Sequence, residues 1–208
     1  MLLERITTPR FVLCWLAAVC CTVALFWSYE LTAGEEMPHP KQWPGHSQIP
    51  VPAAKKSLLM FAHPQCGCTT AGLMELKELL QDLPKQHHPQ VTFILLQPSN
   101  ARERWSDTFN ESLCRSFEEA TILDDPAGEE ASGFGVLTSG TCLLYSASGS
   151  LEFSGGLTQS RGHRGPNRGR DLLTSRLNAG LSISSHDISN HHHVTFGCPL
   201  FSKDDGRR

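Results

Sequence analysis

Ser57 to Leu83 reads SLLMFAHPQCGCTTAGLMELKELLQDL, and this stretch decides the fold. The apolar run Leu58-Leu59-Met60-Phe61 ends at His63-Pro64, and Cys66 and Cys68 follow with only Gly67 between them. Leu73, Leu76, Leu80 and Leu83 then recur at spacings of three and four. The pattern predicts a buried strand, a tight turn and an amphipathic helix with thiols at its entrance. Pro64 and Gly67 shape the turn, and Thr69 or Thr70 is placed to cap the helix. A helix N-terminus carries partial positive charge and unpaired N–H groups, so a thiol there becomes more acidic and more nucleophilic. Redox or soft-metal chemistry at Cys66 is the expectation.

The surrounding chain has 208 residues, a net charge of -3 and 19% charged residues, which gives no electrostatic case for nucleic acid. Of its eight cysteines, Cys14, Cys20 and Cys21 lie in an apolar N-terminal run. Cys66, Cys68, Cys114, Cys142 and Cys198 remain, an odd set that cannot pair completely within one chain.

Phe11 to Trp27 has no charge and no proline. As a helix it rises roughly 25 Å, the short end of what spans a bilayer. Arg5 and Arg10 precede it, while Glu30, Glu35 and Glu36 follow, so the positive-inside rule puts residues 1–10 in the cytoplasm and the bulk of the chain outside. A cleaved signal peptide is the alternative, although Thr32-Ala33-Gly34 makes a poor cleavage site. Residues 28–56 carry five prolines and read as an extended tether, with His39 and His46 solvated.

Val91 to Gln97 is a second apolar run, which predicts a parallel partner for the first strand. Trp105, Phe109, Leu113 and Phe117 form a helical stripe, supported by the Glu111–Arg115 pair. A short strand at Ala120 to Leu123, a helical turn at Gly128 to Phe134, and a hairpin of Thr141 to Tyr145 with Leu151 to Phe153 follow. Asn167 caps a last helix that runs to about Leu177. Cys114 and Cys142 read as packing residues. Residues 179–208 form a Ser- and His-rich tail, in which Val194, Phe196, Cys198, Leu200 and Phe201 make an apolar island that could dock back onto the domain, with Cys198 open to a role as a third redox thiol or a disulfide partner of Cys66 or Cys68.

This order resembles a thioredoxin-like α/β fold over residues 57–178, a mixed sheet flanked by helices and preceded by a transmembrane helix. Phe61 to Leu76 keeps the spacing of membrane-tethered thiol-disulfide reductases of the TlpA/ResA kind, and Cys66 falls on their nucleophile. Phe134-Gly135-Val136 and Gly155-Gly156 match further elements of that family. More narrowly, His63 to Cys68, Thr138 to Gly140, Gly155 to Arg170 and Phe196 to Leu200 resemble the HPxCxC, TSG, glycine–arginine and FGCPL segments of the RedB group. Three positions depart from the TlpA/ResA pattern: Thr69 replaces the resolving cysteine, Gln65 the tryptophan before the nucleophile, and Gly140 the cis-proline.

The resemblance implies thiol-disulfide exchange by Cys66, with Cys68 resolving and His63 stabilising the thiolate or shuttling a proton. The partners would be exported protein thiols or disulfides, or a membrane reductant, on the periplasmic side, and no cofactor is needed. A Cys66–Cys68 bond requires a bent Gly67, because two extended residues span about 7 Å and disulfide Cα atoms sit about 4.4–6.8 Å apart. Alternatively, Cys66, Cys68, His63 and Cys198 would bind copper or zinc, ions that suit thiolate with imidazole. The histidines at 191–193 read as part of a solvated tail. A third reading is a redox-inert scaffold whose loop of Arg161, His163, Arg164, Arg168 and Arg170 binds an acidic partner or simply reverses the chain.

Overall fold

The computed structural model describes residues 2–51, 54–98, 105–178 and 192–201. It divides into two units, Met1–Thr32 and Ala33–Arg208. The first is one helix, α1 (Leu2–Glu30). Its Pro9–Glu30 part is 22 residues and holds an 18-residue stretch with a mean hydropathy of 2.2, long and apolar enough to cross a membrane.

The second unit is built on a six-stranded sheet. Its strands are β1 (Ser57–Ala62), β2 (Gln90–Gln97), β3 (Thr121–Pro126), β4 (Cys142–Tyr145), β5 (Leu151–Gly155) and β6 (His192–His193), in the order β3-β2-β1-β4-β5-β6. β1 pairs parallel with β2 and β2 with β3, whereas β4 runs antiparallel to β1 and to β5. Every residue of β1 is buried because both sheet faces are covered, which is why its sequence is continuously apolar rather than alternating. Leu58, Met60 and Ala62 face one core with Leu73 and Leu76 of α2 (Gly67–Asp82) and Leu173 of α5 (Arg168–Asn178). Leu59 and Phe61 face another with Phe134, Val136 and Tyr145. The short α3 (Phe109–Arg115) and α4 (Glu129–Gly133) complete the element order. Asn167 caps α5 as expected, its Oδ1 accepting from Arg170 N at 2.8 Å.

Three local expectations are corrected. Ala33 to Val51 is not an extended tether but a cover for the second core. Trp43 and Ile49 are buried, Trp43 meets Phe134 and Tyr145 edge-on at 5.4 and 5.0 Å, and Tyr145 Oη donates to Pro40 O. His39 is half-buried there with Nδ1 against Phe134 O, whereas His46 is exposed as expected. Of the aromatic stripe, Trp105, Leu113 and Phe117 pack half-buried against the cores as expected, but Phe109 is 63% exposed, and within α3 the buried residues are Asn110, Glu111 and Cys114. Polar residues turn inward because they have partners there, described below. The tail also returns: His192 and His193 add β6 to the sheet edge, and His192 Nε2 lies 2.9 Å from Glu36. His191 falls outside the described residues.

Candidate functional site: a three-thiol cluster at a helix N-terminus

β1 delivers the chain to the turn, and α2 begins directly after Cys66. Cys66 itself is the N-cap, with extended backbone (φ -94°, ψ 121°), so Thr69 and Thr70 lie within the first turn instead of capping it. Its main chain is fixed on both sides: Cys66 N donates to His63 O, and Thr70 N donates to Cys66 O at 3.2 Å. Asn110 of α3 holds the turn from outside. Its Nδ2 donates to His63 O at 3.1 Å and to Cys66 O at 3.0 Å, while its Oδ1 accepts from Thr70 Oγ1 at 2.6 Å. Thr69 Oγ1 meets Ser139 Oγ, and both hydroxyls face His63 N.

The Sγ atoms of Cys66, Cys68 and Cys198 all lie within 4.8 Å of one another. Cys198 Sγ stands 3.0 Å from Cys66 Sγ, and no disulfide links them. Cys66 is only 5% exposed. The thiolate settles on Cys66, whose acidity is raised well beyond that of an ordinary thiol. The hydrogen bond from the Cys68 thiol is the main cause; burial opposes it, and the Cys198 thiol adds to it. Cys68 is pushed the other way chiefly because its proton is committed to Cys66. Cys198 is raised to about 11, first by burial and then by donating to Cys66. One negative charge is thus shared by three sulfurs and centred on the helix terminus.

His63 lies beside this cluster rather than in it. Its ring packs on Trp105 with centroids 4.7 Å apart, and its Nδ1 accepts from Gln65 N at 3.2 Å. Burial lowers its pKa, which leaves a neutral imidazole with its proton on Nε2. Among the described residues, the donors grouped closely enough to hold one metal ion are the three cysteines, without His63. Cys114 and Cys142 are fully buried away from the cluster, each raised to about 12 by burial first of all.

The basic loop turns inward to the protein itself. Arg164 and Arg170 pair with Glu75 and Glu78 of α2, Arg170 also with Asp82, and the Arg161 guanidinium donates to Gly197 O. Gly140 has φ +89° and donates its N–H to Phe61 O at 2.7 Å, joining the 138–141 segment to the end of β1. The positioning residues Asn110 and Ser139 were missed in the sequence reading. The only signal for Asn110 was a polar residue between the apolar positions of a helical stretch.

No protein-family model and no curated protein sequence matches the chain. Solved structures do. A hypothetical protein from Sinorhizobium meliloti superposes with a TM-score of 0.56 at 15% identity, over 81% of this chain and 93% of that one. An uncharacterized conserved protein from Geobacillus kaustophilus gives 0.53 at 17% identity, over 84% and 94%. The exposed lipoprotein thioredoxin of Streptococcus pneumoniae aligns more loosely, at 0.42 and 20% identity over 61% and 85%. At such identities the likeness is one of fold. Together with the strand order, it defines an α/β fold, a mixed sheet flanked by helices, with one long apolar N-terminal helix among the described residues.

Proposed function

We propose that the chain is a membrane-anchored thiol-disulfide exchange protein whose nucleophile is Cys66. A single sulfur at a helix N-terminus, accepting protons' share from two neighbouring thiols, is the observation that carries this reading. The thiolate attacks a disulfide, forms a mixed disulfide with one half, and releases the other half as thiolate. A second thiol of the chain then attacks Cys66 Sγ, freeing the remaining half and leaving the chain two electrons poorer. The CxC spacing offers Cys68 for that step. His63 enters as a neutral imidazole whose Nε2–H offers a hydrogen bond to the departing thiolate. A dithiol or a membrane reductant restores the pair.

The charges flanking the apolar run Phe11 to Trp27, Arg5 and Arg10 before it and Glu30, Glu35 and Glu36 after it, support an N-terminus in the cytoplasm and a periplasmic thiol domain. The substrates would then be exported proteins. The test is to equilibrate the full chain in detergent with thiol-disulfide buffers and count alkylated cysteines by mass spectrometry. A disulfide that includes Cys66 and turns over reversibly is expected; inert thiols across the range would sink the reading.

A second reading rests on the same sulfurs. Three thiolates within 4.8 Å suit Cu(I) or zinc. Stoichiometric metal on the isolated chain, lost in Cys66→Ser, would favour it over exchange.

A further inference from the structure

Thr195 to Leu200 lies along Leu137 to Gly140 as a short added strand. Leu200 N donates to Leu137 O at 2.8 Å and Ser139 N donates to Cys198 O at 2.9 Å, on either side of an antiparallel bridge between Thr138 and Pro199. Gly34 N donates to Thr195 O at 2.8 Å, and Thr195 N to Glu36 Oε1 at 2.9 Å. Gly197 permits the close approach, because a side chain there would collide with Ser139 O. Leu200 is buried in the second core and anchors the far end. The result is a strap that covers Cys66 and sets a foreign sulfur 3.0 Å from it. A disulfide-bearing protein segment would present its own sulfur to Cys66 by the same edge pairing.

The structure assigns the resolving step to Cys198: the strap yields its groove along Leu137–Ser139 to a substrate segment and returns to resolve the mixed disulfide. This rests on the exchange reading above and changes which thiol completes it. The Cys68 sulfur also lies within 4.8 Å of Cys66, but it sits only two residues on, in the first turn of α2, so a bond between them closes a small, strained ring. Bonding it to Cys66 would disturb the turn that Thr70 and Asn110 hold. Cys198 arrives on a separate segment, and its sulfur needs to move only about 1 Å to reach the bonded separation of about 2.05 Å.

The balance is simple. Cys66 thiolate breaks the substrate S–S bond and keeps one half; Cys198 thiolate displaces that half. Two thiols have then become one disulfide, and the substrate leaves as two thiols carrying the two electrons and two protons.

Oxidised glutathione is the probe. The reduced full chain in detergent is mixed with one equivalent, quenched in acid, alkylated and mapped by mass spectrometry. Wild type is expected to yield a Cys66–Cys198 bond and two released glutathiones. Cys198→Ser is expected to stall with glutathione on Cys66, whereas Cys68→Ser still closes the Cys66–Cys198 bond. A Cys66–Cys68 bond in wild type, with Cys198→Ser still releasing both glutathiones, would overturn the assignment yet leave exchange at Cys66 standing. Absence of glutathione chemistry at Cys66 in all three chains would remove the exchange reading and the assignment with it. The wild-type map needs no variant to fold.

Discussion

Cys66 at the head of α2 and Cys142 of β4 are both hidden from solvent, and their acidities diverge. Cys142 of β4 sits among apolar side chains of the first core, and burial alone pushes it up to about 12. Cys66 is nearly as inaccessible, but it sits at the head of α2 with two thiols donating to it, and its pKa falls. Burial by itself therefore makes a thiol inert. Burial with convergent donors makes it a thiolate, because the donors act at full strength where water cannot screen them.

The most direct way to break this comparison is to follow thiolate absorbance in the ultraviolet, which needs no access to the buried sulfur. An ordinary thiol loses about tenfold in thiolate for each pH unit below its pKa of ~8.5. The reduced wild-type chain is expected to keep one thiolate's absorbance down to ~pH 5, and Cys66→Ser to lose it, a difference of roughly a thousandfold in thiolate at that pH. The sign follows from the depressed pKa: thiolate persists above it and is protonated only as the pH falls through it. If Cys66→Ser leaves the low-pH absorbance in place, the charge belongs to another sulfur.

Cys68→Ala sharpens the same point. Its hydrogen bond is the largest cause of the depressed Cys66 pKa, so its removal should raise the titration midpoint more than Cys198→Ala does. The reverse order would mean that the strap, not the CxC turn, sets the acidity. Asn110→Ala should act less on the charge than on the frame. It strips one of the donors from each of two carbonyls and an acceptor from Thr70, all of which keep another partner, and each hydrogen bond lost costs ~0.5–1.5 kcal/mol. Urea unfolding should show a loss of about 2–4 kcal/mol; a loss near zero would show that water or a moved side chain replaces it.

Which parts of this arrangement were readable from sequence follows from how local they are. The β1–turn–α2 unit was legible because an unbroken apolar run and leucines three and four apart are local signals, and it set Cys66 and Cys68 at the helix entrance. The aromatic stripe misled at Phe109, because the face of α3 was chosen by what the turn needs, hydrogen bonds from Asn110, and not by hydrophobicity. Trp43 is a lone aromatic in a proline-rich stretch, and composition cannot show that it plugs a core with Phe134 and Tyr145. The strap was least legible of all. Its pairing with Leu137–Ser139 uses backbone groups, which every sequence possesses, across a long separation in the chain.

The smallest expected effect tests the inert member of the pair. Cys142→Ala removes one buried sulfur from a site lined by Leu58, Leu144 and Phe153, and nothing polar depends on it beyond a distant contact of 3.9 Å with Gly140 O. The loss of its packing should cost about 1–2 kcal/mol, measured by urea unfolding. The low-pH thiolate signal should stay unchanged, since Cys142 does not donate to Cys66. A shift in that signal would mean that β4 transmits strain through Gly140 and Phe61 to the turn, and the two thiols would then be coupled.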